Sequence, residues 1–303
     1  MLWILIAIFS YFLLAVSALG DKYLLSGPPE PKSYTFFINV SGILLLALIP
    51  FVGFVRPDSR QILLSFLAGG SMVFASYFLY SALEKFEASR VIPAIGGLLP
   101  IFTLGIVFLF SGSQSLTPKS LAAFLLLVLG SVLISADKGK AISLESLFFS
   151  AASAFLFALS FVLVKSLYLE LPFWTTIILT RLGAFLASLV FLLAKETRAE
   201  IFQKNFILQK KSGIIFFATQ GIGTLASLLQ NWAILLAPLG FLAFVNALEG
   251  TRYVFLLVLS VLVSAKFPKI LKEEISPKSM FQKSLAVLII IIGLGVLTLS
   301  LKT

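Results

Sequence analysis

Cysteine and histidine are both absent from the 303-residue chain. Their absence excludes a disulfide framework, a thiol nucleophile, a Ser-His catalytic pair, and zinc or haem held by those side chains. Charge is scarce too, at 12% of residues, where a soluble domain carries about 25%. A water-soluble fold would lack polar cover, and an apolar content of 59% excludes a disordered chain. With a mean hydropathy of +1.08, the chain reads as an integral membrane protein. Acidic residues are the scarcer sign, 13 against 23 Lys and Arg, for a net charge of +10. Basic loops beside anionic lipid headgroups account for that excess, so no nucleic-acid partner is expected.

The materials for catalysis are missing as well. Gly139-Lys140 is followed by Ala141 and has no upstream glycine, so no phosphate-binding loop is present. There is no Asp-rich metal motif, and no serine and lysine stand together deep in an apolar run. The expectation is no enzyme, no cofactor, no metal site and no ATP-driven pumping by this chain alone.

What the chain does have is long apolar runs. A bilayer core of about 30 Å needs roughly 20 apolar residues per helix. Ten stretches qualify: Leu2–Gly20, Tyr34–Val55, Ile62–Leu83, Val91–Phe110, Leu121–Ile134, Leu144–Val164, Phe173–Leu193, Gly213–Leu235, Gly240–Val263 and Leu285–Leu301. The fifth is short, and Ser120 and Ala136 can extend it. The first lacks a basic leader and an Ala-x-Ala site, so it is expected to be a retained span rather than a cleaved signal. Two longer connections, Lys195–Ser212 and Lys266–Lys283, mix lysines with Ile, Leu and Phe and read as amphipathic segments in the headgroup region.

The chain also repeats itself. Ala15-Val16-Ser17 followed by Lys22 returns as Ala158-Leu159-Ser160 followed by Lys165, displaced by 143 residues. Leu116-Thr117-Pro118-Lys119-Ser120 returns as Ile275-Ser276-Pro277-Lys278-Ser279, displaced by 159. The expected fold is therefore an all-α polytopic membrane protein, with ten transmembrane helices as a 5+5 inverted repeat, residues 1–137 and 138–303. Five is odd, so the second block enters the membrane with opposite orientation, a plan common among secondary transporters.

Tyr80-Ser81-Ala82-Leu83, Ala88-Ser89-Arg90-Val91-Ile92-Pro93-Ala94 and Leu98-Leu99-Pro100-Ile101-Phe102 resemble the EamA-type repeat of the drug/metabolite transporter superfamily. So do the Leu116-Thr117 step and Gly130 of the fifth helix. Trp232-Ala233, Ala247-Leu248-Glu249 and Lys272-Glu273-Glu274-Ile275-Ser276 echo the pattern in the second half. The sequence departs from it at Gly112-Ser113-Gln114 and at Gly250, where the family often has Gly-Glu and Pro. The resemblance implies the ten-helix fold and a transport function, and it leaves the substrate open.

Three charges lie deep in apolar runs: Arg181, Glu249 and Arg252. Each costs about 2.5–3.5 kcal/mol on insertion scales. Glu249 and Arg252 are three apart and can pair on one helix flank, and Asn246, Glu249 and Tyr253 share a face. Gln220, Thr224, Ser227 and Asn231 form a polar stripe along the eighth span. Lipid would penalise such a stripe, so it faces either an interhelical seam or a wet cavity. Tyr80 is the weaker aromatic counterpart in span three. Pro93, Gly96, Gly97 and Pro100 should bend or open span four, with Gly250 as the match in span nine. Ser146, Ser150, Ala154 and Ala158 form a small-residue face for close helix contact.

These residues are the candidate lining of a substrate cavity. The expected function is transport of a small polar metabolite by alternating access, driven by a gradient or by exchange. The deep charges sum to +1 and favour an anionic or zwitterionic solute, with Glu249 as candidate proton carrier. The alternative is a lipid-linked flippase or a non-transporting scaffold, in which the same groups only fasten helices. The expected partners are a small-molecule substrate and the bilayer, in the cytoplasmic membrane of a prokaryote. Sixteen of the 23 basic residues fall in odd-numbered connections and five in even-numbered ones or at the C-terminus. That asymmetry places both termini outside, whereas the family resemblance implies cytoplasmic termini.

Overall fold

The computed structural model describes residues 2–24, 31–86, 88–111, 117–135, 143–203, 210–266 and 277–300. All regular structure among them is helical. In chain order the α-helices are α1 (Leu2–Leu24), α2 (Pro31–Ser41), α3 (Ser59–Lys85), α4 (Ala88–Ser111), α5 (Pro118–Ser135) and α6 (Leu144–Tyr168). Then follow α7 (Phe173–Ser188), α8 (Lys195–Gln203), α9 (Lys210–Leu236), α10 (Leu242–Ala247), α11 (Glu249–Lys266) and α12 (Pro277–Ser300). Three tighter 3₁₀ segments, Gly42–Phe51, Leu189–Leu193 and Leu239–Phe241, extend α2 and α7 and lead into α10.

Among the described residues six helical stretches are long and apolar enough to cross a membrane: Leu2–Gly20, Ser59–Lys85, Leu144–Tyr168, Phe173–Leu193, Leu239–Leu259 and Phe281–Ser300. Shorter apolar helices occupy Thr35–Phe51, Ala94–Phe110 and Pro118–Leu133. The protein is thus an all-α polytopic membrane protein. Helix α9 has 27 residues and carries the polar stripe. Of the two amphipathic connections, the first contains α8, whereas residues 267–276 of the second lie outside the described part.

Local chemistry explains several boundaries. Asp58 caps α3 by accepting from the Gln61 backbone at 2.8 Å, and the Gln61 side chain returns a bond to the Asp58 backbone. This capping box satisfies two orphan polar groups at the helix start. Ser143 caps α6 in the same way through the Ser146 N–H. Pro172 precedes α7, where a fixed φ starts a helix without needing a donor.

The helices pair across the chain midpoint. α3 runs antiparallel to α6, and the Ser153 and Ser160 hydroxyls donate to the Ala75 and Ala68 carbonyls, each at 2.9 Å. Ser146, Ser150, Ala154 and Ala158 are all buried in this part of the bundle, which agrees with a close-contact face. α1 runs antiparallel to α9, with the Ser17 hydroxyl donating to the Thr219 carbonyl at 3.3 Å. α5 lies along α12, where Gly130 admits Ile290 and Gly293 admits Leu126 and Leu127. Small residues let backbones approach, and the serine hydroxyls then find carbonyls across the gap.

The predicted opening of span four at Pro93, Gly96, Gly97 and Pro100 is absent, because α4 runs unbroken from Ala88 to Ser111. Each proline removes one backbone donor while the neighbouring turns keep theirs, and α6 and α5 pack along the helix. The glycines serve contact instead. A Cβ on Gly96 would stand 3.0 Å from the Tyr253 hydroxyl, and one on Gly97 would strike Val132. The interruption lies in the second half, at Leu248 between α10 and α11, beside Gly250.

The α3–α7 crossing yields a stability prediction. Gly69 abuts the backbone of Thr180 and Ala184, whereas Gly70 has only the Ala187 methyl at 3.7 Å. Gly69→Ala should lower stability by about 1–3 kcal/mol through overpacking, and Gly70→Ala should stay within about 0.5 kcal/mol. Thermal unfolding of the two variants in detergent provides the comparison.

Candidate substrate site

Helix α9 carries the polar groups that join its neighbours. On one flank the Arg181 guanidinium of α7 donates from Nη2 to Ser227 Oγ at 2.8 Å. Asn231, one turn further, donates to the Ser227 carbonyl at 2.9 Å and accepts from the Tyr168 hydroxyl of α6 at 3.0 Å. The Tyr168 ring stacks on Phe173 with centroids 5.7 Å apart, and Phe173 meets Trp232 edge-on at 4.8 Å. Aromatic pairs of this geometry hold a wall in place. Arg181 is therefore held by a neutral hydroxyl, that of Ser227.

On the other flank Gln230 donates to the Tyr11 hydroxyl of α1 at 3.3 Å, and Tyr11 donates to the Val245 carbonyl of α10 at 2.9 Å. Val245 stands just before the Leu248 interruption. A second carbonyl there, that of Ala247, accepts from Ser131 of α5 at 3.3 Å. Gly250 leaves room for the same serine. Carbonyls released by a helix break inside a membrane must find other donors; here Tyr11 supplies one, and the Ser131 hydroxyl, 2.7 Å from its own-helix Leu127 carbonyl, is shared with Ala247.

Glu249 opens α11 at that break. Its Oε1 is 3.4 Å from Arg252 Nη1, with the two side chains 15% and 28% exposed. A carboxylate in the first turn of a helix faces the positive end of the helix dipole. This pair is compensated, and Arg181 is not. Among the described residues the ion pairs are Arg60–Glu170, Lys85–Glu145 and Arg252–Glu249.

The predicted residues divide accordingly. Arg181, Ser227 and Asn231 form one cluster, and Glu249, Arg252 and Tyr253 form another. Gln220 and Thr224 continue the α9 stripe, half-buried. Asn246 is fully buried and turns to α4, donating to Thr103 Oγ1 at 2.8 Å. Tyr80 lies eleven residues along α3 from Gly69, which faces the Thr180–Gly183 turn. At about 1.5 Å per residue that is about 16 Å from the Arg181 level. Span nine is interrupted at Leu248, with Gly250 inside the helix that follows, while Pro93, Gly96, Gly97 and Pro100 sit in a continuous helix.

Tyr11, Gln230, Tyr168 and Lys165 were not legible as site residues. Gln230 falls one residue off the periodic stripe, Tyr11 sits in an apolar span without a polar stripe of its own, and Tyr168 lies past the predicted end of span six. Lys165 reads as a loop charge, yet it is buried and donates to the Leu235 carbonyl at 2.9 Å.

No family model and no curated protein matches the chain. The chain is similar in fold to a solved structure described only as "Crystal structure of protein". The two superpose with a TM-score of 0.67 at 18% identity, over 98% of this chain and 96% of that one. An identity that low carries the fold and nothing of the activity.

The cluster predicts measurable couplings. Tyr11→Phe removes the donor to the Val245 carbonyl and should cost about 1–3 kcal/mol, the penalty for an unsatisfied buried group. Combining it with Gln230→Leu in a double-mutant cycle should give less than the sum of the two effects, because both act on one hydroxyl.

Proposed function

We propose that the chain is a secondary transporter of a small anionic or zwitterionic metabolite, of the drug/metabolite, EamA-like kind. The observation that carries this reading is Arg181, a half-buried guanidinium among apolar helices with no carboxylate partner among the described residues. A charge that costs kilocalories to insert is retained where it has a use. A solute anion is the counter-charge that the protein itself does not provide.

Packing supports the two-repeat plan. If the ten apolar stretches are ten spans, exchanging each with the one five places on turns the α1–α9 pair into the α6–α3 pair. The same exchange maps the α5–α12 pair onto itself. The bodies that rock are then mixed bundles, α3 with α6 and α1 with α9, rather than residues 1–137 against 138–303. Exposed ion pairs, Arg60–Glu170 at 3.2 Å and Lys85–Glu145 at 3.1 Å, tie α3 to the α6 region at both ends. The Tyr11–Gln230 contact joins the other pair to the break at Leu248. The proposed setting is the cytoplasmic membrane of a prokaryote. A lipid-linked flippase or a scaffold would need Arg181 only as a fastener.

Thermal stabilisation of the purified protein separates these readings. Under the transport reading an organic anion at about 100 times its Kd adds about 2.7 kcal/mol, and Arg181→Gln abolishes the gain. A scaffold shows no stabilisation by any solute. In proteoliposomes, Glu249→Gln should flatten the pH dependence of uptake if Glu249 carries the coupling proton, and unchanged dependence excludes that role. A reporter active only in the cytoplasm, fused after Thr303, should stay silent under the charge asymmetry. A strong signal supports the family orientation instead.

A further inference from the structure

Arg181 has a companion. Lys165, in the last turn of α6, is 3% exposed and donates from Nζ to the Leu235 carbonyl at 2.9 Å. That contact uses one of three ammonium donors, and a carbonyl near a helix C-terminus supplies only partial negative charge. Neither cation has a carboxylate within ion-pair distance among the described residues. In the ten-span reading, ten of the 13 acidic residues fall at the opposite ends of the spans from Lys165. Of the other three, Glu249 pairs with Arg252, Glu170 pairs with Arg60, and Asp58 caps α3.

The two cations lie on one polar track. Tyr168 is one turn beyond Lys165 on α6, its hydroxyl meets Asn231, and Asn231 reaches the Ser227 carbonyl. The Ser227 hydroxyl in turn holds Arg181. The anchor points on α9, Ser227 and Leu235, are about 12 Å apart along the helix axis. Two positive charges taken out of water on one track are costly until matching negative charge joins them. Counting Lys165, the deep groups carry +2 rather than the +1 of Arg181, Glu249 and Arg252 alone.

We propose that Lys165 is a second anion-binding station beside Arg181, and that the solute carries two acidic groups, as a dicarboxylate does. The inference rests on the transport reading of Arg181. One acidic group bonds Arg181, and the other replaces the Leu235 carbonyl at Lys165. Tyr168 and Asn231, which lie between them, offer hydroxyl and amide groups to the solute body.

The test uses purified full-length protein and a series of dicarboxylates from malonate to adipate, each against the monocarboxylate of equal length at matched ionic strength. At least one dicarboxylate should stabilise the wild type at a concentration about tenfold below its monocarboxylate. Lys165→Gln should erase that preference while leaving monocarboxylate binding intact, and Lys165→Arg should retain it. Arg181→Gln should weaken both series. If the wild type shows no preference, or if Lys165→Gln keeps it, Lys165 is only a cap on α9 and the proposal is overturned while the transport reading stands. If no anion binds and Arg181→Gln changes nothing, the transport reading itself fails. Should anionic phospholipid, and no soluble dicarboxylate, stabilise in a Lys165-dependent way, the occupant is a headgroup and the dianionic solute is excluded.

Discussion

A guanidinium surrounded by apolar helices must be neutralised, hydrated or hydrogen-bonded, and the arrangement around Arg181 follows from that demand. Ser227 provides a hydroxyl oxygen without charge, Asn231 bonds the Ser227 carbonyl, and Tyr168 locks Asn231 from α6. Neutral partners satisfy donors but leave the charge in place. Had Glu249 been the partner, the site would be a closed salt bridge. Instead Glu249 is held by Arg252 on its own helix turn, and Arg181 keeps a charge without a carboxylate partner among the described residues.

The break at Leu248 is the second consequence of scarce polarity. In water, released carbonyls cost little, whereas in a bilayer each needs a donor. Tyr11 and Ser131, from two helices of the first half, serve the Val245 and Ala247 carbonyls of the second. Gly96 and Gly250 make room for Tyr253 and Ser131 at the same level. The interruption is thus stitched to its surroundings by two hydroxyls, those of Tyr11 and Ser131.

Fold class was readable because apolar length is a one-dimensional signal: runs of about 20 residues persist whatever packs on them. Arg181, Ser227 and Asn231 were readable for the opposite reason, as polar groups that lipid would reject. Two features were not. Proline and glycine in α4 look like a break, but a helix tolerates single lost donors when neighbours pack along it, and glycine in a membrane serves close contact as often as bending. Lys165 looks like a loop residue because nothing in sequence shows that α9 ends beside it. Tertiary placement, which local pattern does not encode, decided both.

The chain has no native cysteine, so an introduced thiol reports its own surroundings. Thr224 continues the α9 stripe one turn from Ser227 and is half-buried, while the apolar Leu225 beside it is 51% exposed. If the stripe borders a watered path with an unmatched positive charge, Thr224→Cys in liposomes reacts with water-soluble thiol reagents, faster with an anionic one than with a cationic one. Leu225→Cys stays unreactive to both. Silence at Thr224→Cys, or equal rates for the two reagents, would contradict the account and mark the stripe as a dry seam between helices.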